Sequence, residues 1–102
     1  MEEYQQEFIK NLKKYRQKNK LSQAKLSELC DVSTGTIGNI ECGSSKPSFD
    51  LILTIAKVLE IHPAMLFSGK ALLEKDENSD KDLLLDFYLK LKSYFKDKNE
   101  EK

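Results

Sequence analysis

The chain has little from which to build a catalytic or metal centre. Of its 102 residues two are cysteine, Cys30 and Cys42, and one is histidine, His62. Their spacing matches no metal-ligand pattern. No nucleophile paired with a base, phosphate-cradling glycine loop or cluster of ligating side chains stands out, so the expectation is a protein that is not an enzyme and carries no cofactor. No apolar run reaches the ~18 residues that cross a bilayer. The opening "MEEYQQEF" is acidic and polar, unlike a secretory signal. These absences predict a soluble, cytoplasmic protein with free thiols, one buried and one semi-exposed, and no membrane partner. Strand signals and internal repeats are also missing.

What is present is helical periodicity over a modest core, with 39% apolar residues in a chain the size of one small domain. The formal net charge of zero conceals an asymmetry. From Phe8 to Pro47 eight Lys/Arg face three acids, whereas from Ala71 to Lys102 seven lysines face nine acids. The first half thus carries a positive field of the kind that attracts polyanions, although a solvated lysine face has the same composition.

Phe8, Ile9, Leu12 and Tyr15 share one helical face, and that helix is expected to end near Asn19. Ser22 caps a second helix burying Leu26, Leu29 and Cys30. After a turn at Asp31-Val32, Ser33 is expected to cap a third helix, with Ile37 and Ile40 inward. Gly43 suits a C-terminal cap, Pro47 stops continuation, and Ser48 caps a fourth helix with Leu51, Ile52, Ile55, Ala56, Val58 and Leu59 as its stripe. Pro63 opens a short fifth helix, "PAMLF". The polar stretch 68–80 reads as a linker, and Ser79 caps a last helix whose end charges suit the dipole.

Two short helices joined by a tight turn across Leu21–Gly43 make a helix-turn-helix, whose second helix can enter the major groove of DNA. Its outward residues are Ser33, Thr34, Thr36 and Asn39, all short hydrogen-bonding side chains. The segments "LSQAKLSELCDVSTGTIGNIECG", "KPSFDLILTIAKVLEI" and "HPAMLF" together resemble the Cro and phage-repressor (XRE) helix-turn-helix regulators. The resemblance implies an all-α architecture: a five-helix, lambda-repressor-like DNA-binding domain over residues 1–67, followed by a linker and a C-terminal helix over 81–102. It further implies that Gln23 meets a phosphate or base edge and that Thr34, Gly35, Thr36 and Asn39 face the bases. By the same resemblance Ser22, Ser44 and Lys46 lie near phosphates, while Arg16 and Glu41 form a buried ion pair joining helices 1 and 3. Against the family pattern, Asp31 stands where glycine is common, a left-handed position that Asp tolerates. Ser27 replaces an alanine, His62 replaces a usual helix cap, and Cys42 and Ser44 replace phosphate-facing Arg, Asn or Lys.

Gly35 and Gly38 each cost a helix interior ~1 kcal/mol relative to alanine. For Gly35 the reading favoured by its outward position is close approach of the backbone to base edges. For Gly38, close approach to DNA and relief of crowding against a neighbouring helix weigh equally.

The last helix is apolar over too much of its girth to be covered on one side. Leu84, Tyr88, Leu91 and Phe95 form one seam, and Phe87 and Tyr94 lie on its neighbour. The expectation is a homodimer through these residues, matching a palindromic double-stranded operator with half-sites ~34 Å apart. The function predicted is therefore a sequence-specific regulator, a repressor or autoregulator. The competing reading is an antitoxin or protein-interaction module that holds a protein partner through the C-terminal helix and binds DNA weakly or not at all.

Overall fold

The computed structural model describes residues 3–68, 85, 88–89 and 91–95. Four α-helices follow one another: α1 (Glu3–Lys18), α2 (Gln23–Leu29), α3 (Thr36–Glu41) and α4 (Phe49–Leu59). A 3₁₀ turn, Pro63–Leu66, closes the series, and the described residues contain no strand. Among them no helix is long and apolar enough to cross a membrane. The linker read over 68–80 falls outside the described residues apart from Ser68. That residue is buried, and its carbonyl accepts from Asn11 Nδ2 at 3.2 Å.

The core gathers Phe8, Leu12, Leu26, Ile37, Ile40, Ile52, Ile55 and Leu66, one or two side chains from every element. Local signals explain most boundaries. Ser22 Oγ accepts from Lys25 N at 2.9 Å and Ser48 Oγ from Leu51 N at 3.1 Å, so both serines cap as their position requires. The fifth element is a 3₁₀ turn rather than an α-helix, since Pro63 starts it and only four residues follow the helical path. His62 caps it effectively: its Nδ1 accepts from Ala64 N at 3.0 Å.

Each of these four α-helices ends in a left-handed residue, at Lys20, Asp31, Gly43 and Glu60. The residue after each closes back on the last turn, as in Leu21 N to Arg16 O at 3.1 Å and Ser44 N to Asn39 O at 3.0 Å. These are Schellman closures, in which an otherwise orphaned carbonyl is satisfied. Three of the four residues are not glycine, so each spends ~1 kcal/mol of backbone strain on a sharp stop.

Two expectations are corrected here. Leu29 is 46% exposed rather than buried. The inward stripe of α2 is centred on Leu26, Ser27 and Cys30, and at 100° per residue Leu29 lies well off that stripe. Ser33 does not cap α3. The N-cap is Gly35, which has no side chain to offer, and Ser33 Oγ instead pairs with Thr36 Oγ1 at 2.7 Å. The missing cap is supplied from the preceding helix. Ser27, fully buried, accepts from Ile37 N at 3.2 Å, so the serine that departs from the family alanine satisfies the start of α3.

Candidate nucleic-acid interface

The helix-turn-helix is fixed by one buried carboxylate. Glu41, at the end of α3, receives Arg16 Nε at 2.7 Å and a second guanidinium nitrogen at 3.1 Å, the two-pronged geometry that suits arginine. Side-chain exposure is 11% for Arg16 and 1% for Glu41. The remaining guanidinium nitrogen donates to Leu21 O at 2.7 Å, bracing the α1–α2 turn. Gln23 Nε2 adds a bond to Glu41 Oε1 at 2.9 Å. One carboxylate therefore ties α1, α2 and α3 into a single rigid unit.

With α3 so held, its outer face presents Ser33, Thr34, Gly35 and Asn39 exposed and Thr36 half-buried. No hydrogen bond among the described residues engages the Asn39 side-chain amide. It can offer a donor and an acceptor side by side, as adenine recognition requires. Ser22 and Ser44 are exposed beside this face, Ser22 occupied with capping and Ser44 Oγ donating to Asn39 O at 3.0 Å. Lys46, in the α3–α4 loop, holds its ammonium 5.2 Å from the Tyr94 ring centroid. Gln23 is exposed, but its amide is committed to Glu41. Lys10 and Lys13 of α1 line a shallow groove with Gln6, Ile9 and Glu41, adding positive charge along the same end of α3.

The two glycines have different reasons. Gly35 lies just before α3, not inside it, and a Cβ there would meet nothing within 4 Å. Gly38 is inside the helix, and a Cβ there would stand 3.0 Å from Gln23 Oε1. Its absent side chain leaves room for the amide that braces Glu41. Gly38→Ala alone is therefore expected to change stability by less than the ~1 kcal/mol helix-propensity gain, and by the whole of it when Gln23 is also alanine. A urea-unfolding double-mutant cycle checks this; equal gains in both backgrounds would contradict it.

The cysteines differ as their positions demand. Burial pushes the Cys30 thiol up from its ordinary pKa. Hydrogen bonding with the Ser44 side chain and backbone holds the exposed Cys42 thiol below it, with a smaller contribution from Lys13. Alkylation by iodoacetamide at pH 7.5 should therefore modify Cys42 at least ~10-fold faster than Cys30. Comparable rates, measured by mass spectrometry of the intact folded chain, would contradict this placement of the two thiols.

Of the apolar residues assigned to a dimer seam, Tyr94 is packed inside its own chain, 2% exposed. Its ring meets Phe67 at 5.8 Å and Phe95 at 5.0 Å, both edge-on. Phe95 meets Phe49 at 5.5 Å, and Leu91 is partly buried against the core. Tyr88 is exposed, as are Leu85 and Leu89. Leu84 and Phe87 lie outside the described residues. Sequence reasoning missed the aromatic line Phe8–Phe67–Tyr94 that seats the last helix, and Asn11, whose Nδ2 donates to Leu66 O at 3.1 Å. Helical spacing alone does not tell a core aromatic from an interface one.

The family model for helix-turn-helix proteins matches residues 12–66, more than half of the chain. The chain belongs to the XRE-like helix-turn-helix regulators. Among solved structures, it is similar to the restriction-modification controller protein C.AhdI from Aeromonas hydrophila. The two share 32% identity with a TM-score of 0.59, over 62% of this chain and 96% of the other. Comparison with curated proteins gives no match. The matched 12–66 segment contains Arg16, Glu41 and every residue of the α2–α3 face, but not Tyr94 or its neighbours.

Proposed function

We propose that this helix-turn-helix regulator reads a palindromic double-stranded operator as a homodimer, repressing or autoregulating transcription. The observation that carries the reading is the exposed, unengaged Asn39 amide beside Thr34 and Thr36, on a helix locked in place by Glu41. Thr34, Gly35, Thr36 and Asn39 face base edges, while Ser22, Ser33, Ser44 and Lys46 lie toward the phosphates on either side. Gln23 acts through Glu41, setting the angle of α3. The likeness to a restriction-modification controller protein favours a role of that kind.

The dimer contact falls on the exposed apolar residues Leu85, Tyr88 and Leu89 together with Phe49 and Leu53 of α4, which are also exposed. A second copy is the occupant that fits, since one module spans too few base pairs to specify a site and a two-fold pair doubles the readout. The test is selection from random duplexes with the purified full chain. Enrichment of an inverted repeat with half-sites about one helical turn apart supports the reading. Enrichment of a single asymmetric half-site overturns the dimer, and absence of any motif overturns base readout.

A further inference from the structure

Lys10 and Lys13 lie three residues apart on α1, so they are neighbours on one face of that helix, their Cβ atoms about 5–6 Å apart. With Ile9 and Glu41 they line a groove of about 380 Å³ beside the end of α3. The acid in this groove does not offset them. Glu41 is already shared between Arg16 and Gln23, and its side chain is 1% exposed. Among the described residues the ion pairs are Arg16–Glu41 and Lys25–Glu28, so neither groove lysine is paired with a carboxylate. Both are exposed. The groove is also continuous with the recognition face. Cys42 follows Glu41, its thiol donates to Asn39 O at 3.4 Å and to Ser44 Oγ at 3.3 Å, and Lys13 stands near enough to help hold that thiol's pKa down. Lys13 therefore lies at the end of α3 that carries Asn39, and Lys10 lies one turn of α1 further on. Ile9, 8% exposed, gives the groove an apolar wall. A sugar–phosphate strand has the matching chemistry, with anionic oxygens for the ammonium groups and deoxyribose C–H faces for the isoleucine. A helix lying in the major groove has such a strand on either side of it.

We infer that Lys10 and Lys13 bind backbone phosphates of one DNA strand, extending the contact surface from the recognition helix onto α1. The inference rests on the DNA-binding reading above. It adds two contacts that carry affinity but no base preference, and one of them, Lys10, lies outside the segment that matches the family model. Arg16, the next cation along this face of α1, makes no such contact because Glu41 and Leu21 O already engage its guanidinium.

The experiment compares the full chain with Lys10→Met, Lys13→Met, the double variant and Lys57→Met, binding a selected duplex across a series of salt concentrations. Methionine keeps the apolar stem and the helix propensity of lysine, and both groove positions are exposed, so the variants should fold. Each groove variant is expected to flatten the slope of log K against log salt by about 0.9, and the double variant by about 1.8. The matching loss of affinity is about 8-fold per contact at about 0.1 M salt, vanishing toward about 1 M. A scrambled duplex should lose as much, because a phosphate contact reads no base. Lys57, exposed in the last turn of α4, does not line the groove, and its replacement should leave the slope unchanged. An unchanged slope in the double variant would overturn the inference. So would equal flattening by Lys57→Met, which would make the effect one of net charge. Flattening by a single contact in the double variant would remove the lysine that has no effect alone.

A second measurement does not depend on any variant. In the wild-type chain, saturation with the selected duplex should slow acetylation of Lys10 and Lys13 several-fold, followed by mass spectrometry, while Lys57 reacts as before. Groove lysines that acetylate equally fast with and without bound duplex would overturn the inference. Failure of the wild type to bind any duplex in a salt-sensitive way would instead remove the DNA reading beneath it. The two failures are thus distinguishable.

Discussion

Replacing Arg16 by methionine is expected to destabilise the fold by about 3–5 kcal/mol, the largest effect of any single substitution considered. The loss does not come from the attraction itself, which desolvation largely offsets. It comes from what stays behind: Glu41, with a side chain 1% exposed, would keep its charge in the interior with only the Gln23 amide for company. Leu21 O would also lose its guanidinium donor. Against the 5–15 kcal/mol that ordinarily holds a domain together, this is a large fraction. Arg16→Lys should recover only part of it, because an ammonium cannot make both bonds to the carboxylate and still reach Leu21. Removing both charges, as Arg16→Met with Glu41→Leu, should be markedly less harmful than Arg16→Met alone. Urea midpoints of the four proteins measure this. A double variant as unstable as Arg16→Met alone would contradict the account.

The second large effect is on recognition rather than on folding. Asn39→Ala is expected to reduce discrimination at one base pair of each half-site by ~1–3 kcal/mol, roughly 5- to 150-fold. Stability should hardly change, because the amide is exposed and the Asn39 carbonyl that Ser44 uses is backbone. Affinity for non-specific duplex should also hold, since phosphate contacts dominate it. The check is competition between the selected operator and a set of single-base variants, for both proteins. Unchanged preference at every position would exclude Asn39 from base readout.

Much of this architecture could be read before the structure. Ser22 and Ser48 announce their helices because an N-cap is a local device, a hydroxyl within reach of the next turn. The stripes of α1 and α4 follow from 3.6-residue periodicity. What escaped the sequence was decided across elements. Ser33 looks like the cap of α3, while the hydroxyl that does the capping, on Ser27, belongs to another helix. Gly38 makes sense only beside Gln23, fifteen residues earlier and committed to Glu41. The left-handed stops at Lys20 and Glu60 carry no glycine to mark them. Leu29 faces outward because a helix of seven residues cannot bury every apolar side chain it carries. Tyr94 lies on the same apolar helix as exposed Tyr88, and only packing tells which of them turns inward.

The central claim is that the α2–α3 face is a DNA-reading surface flanked by phosphate contacts. Its most direct test is the affinity of the intact chain for its selected duplex, and for a scrambled duplex of equal length, over a range of salt concentrations. The account predicts a linear fall of log K with log salt for both, steeper than about −3 as expected for several phosphate contacts, with the selected duplex bound more tightly throughout. Binding that is insensitive to salt, or identical for the two duplexes, would contradict it.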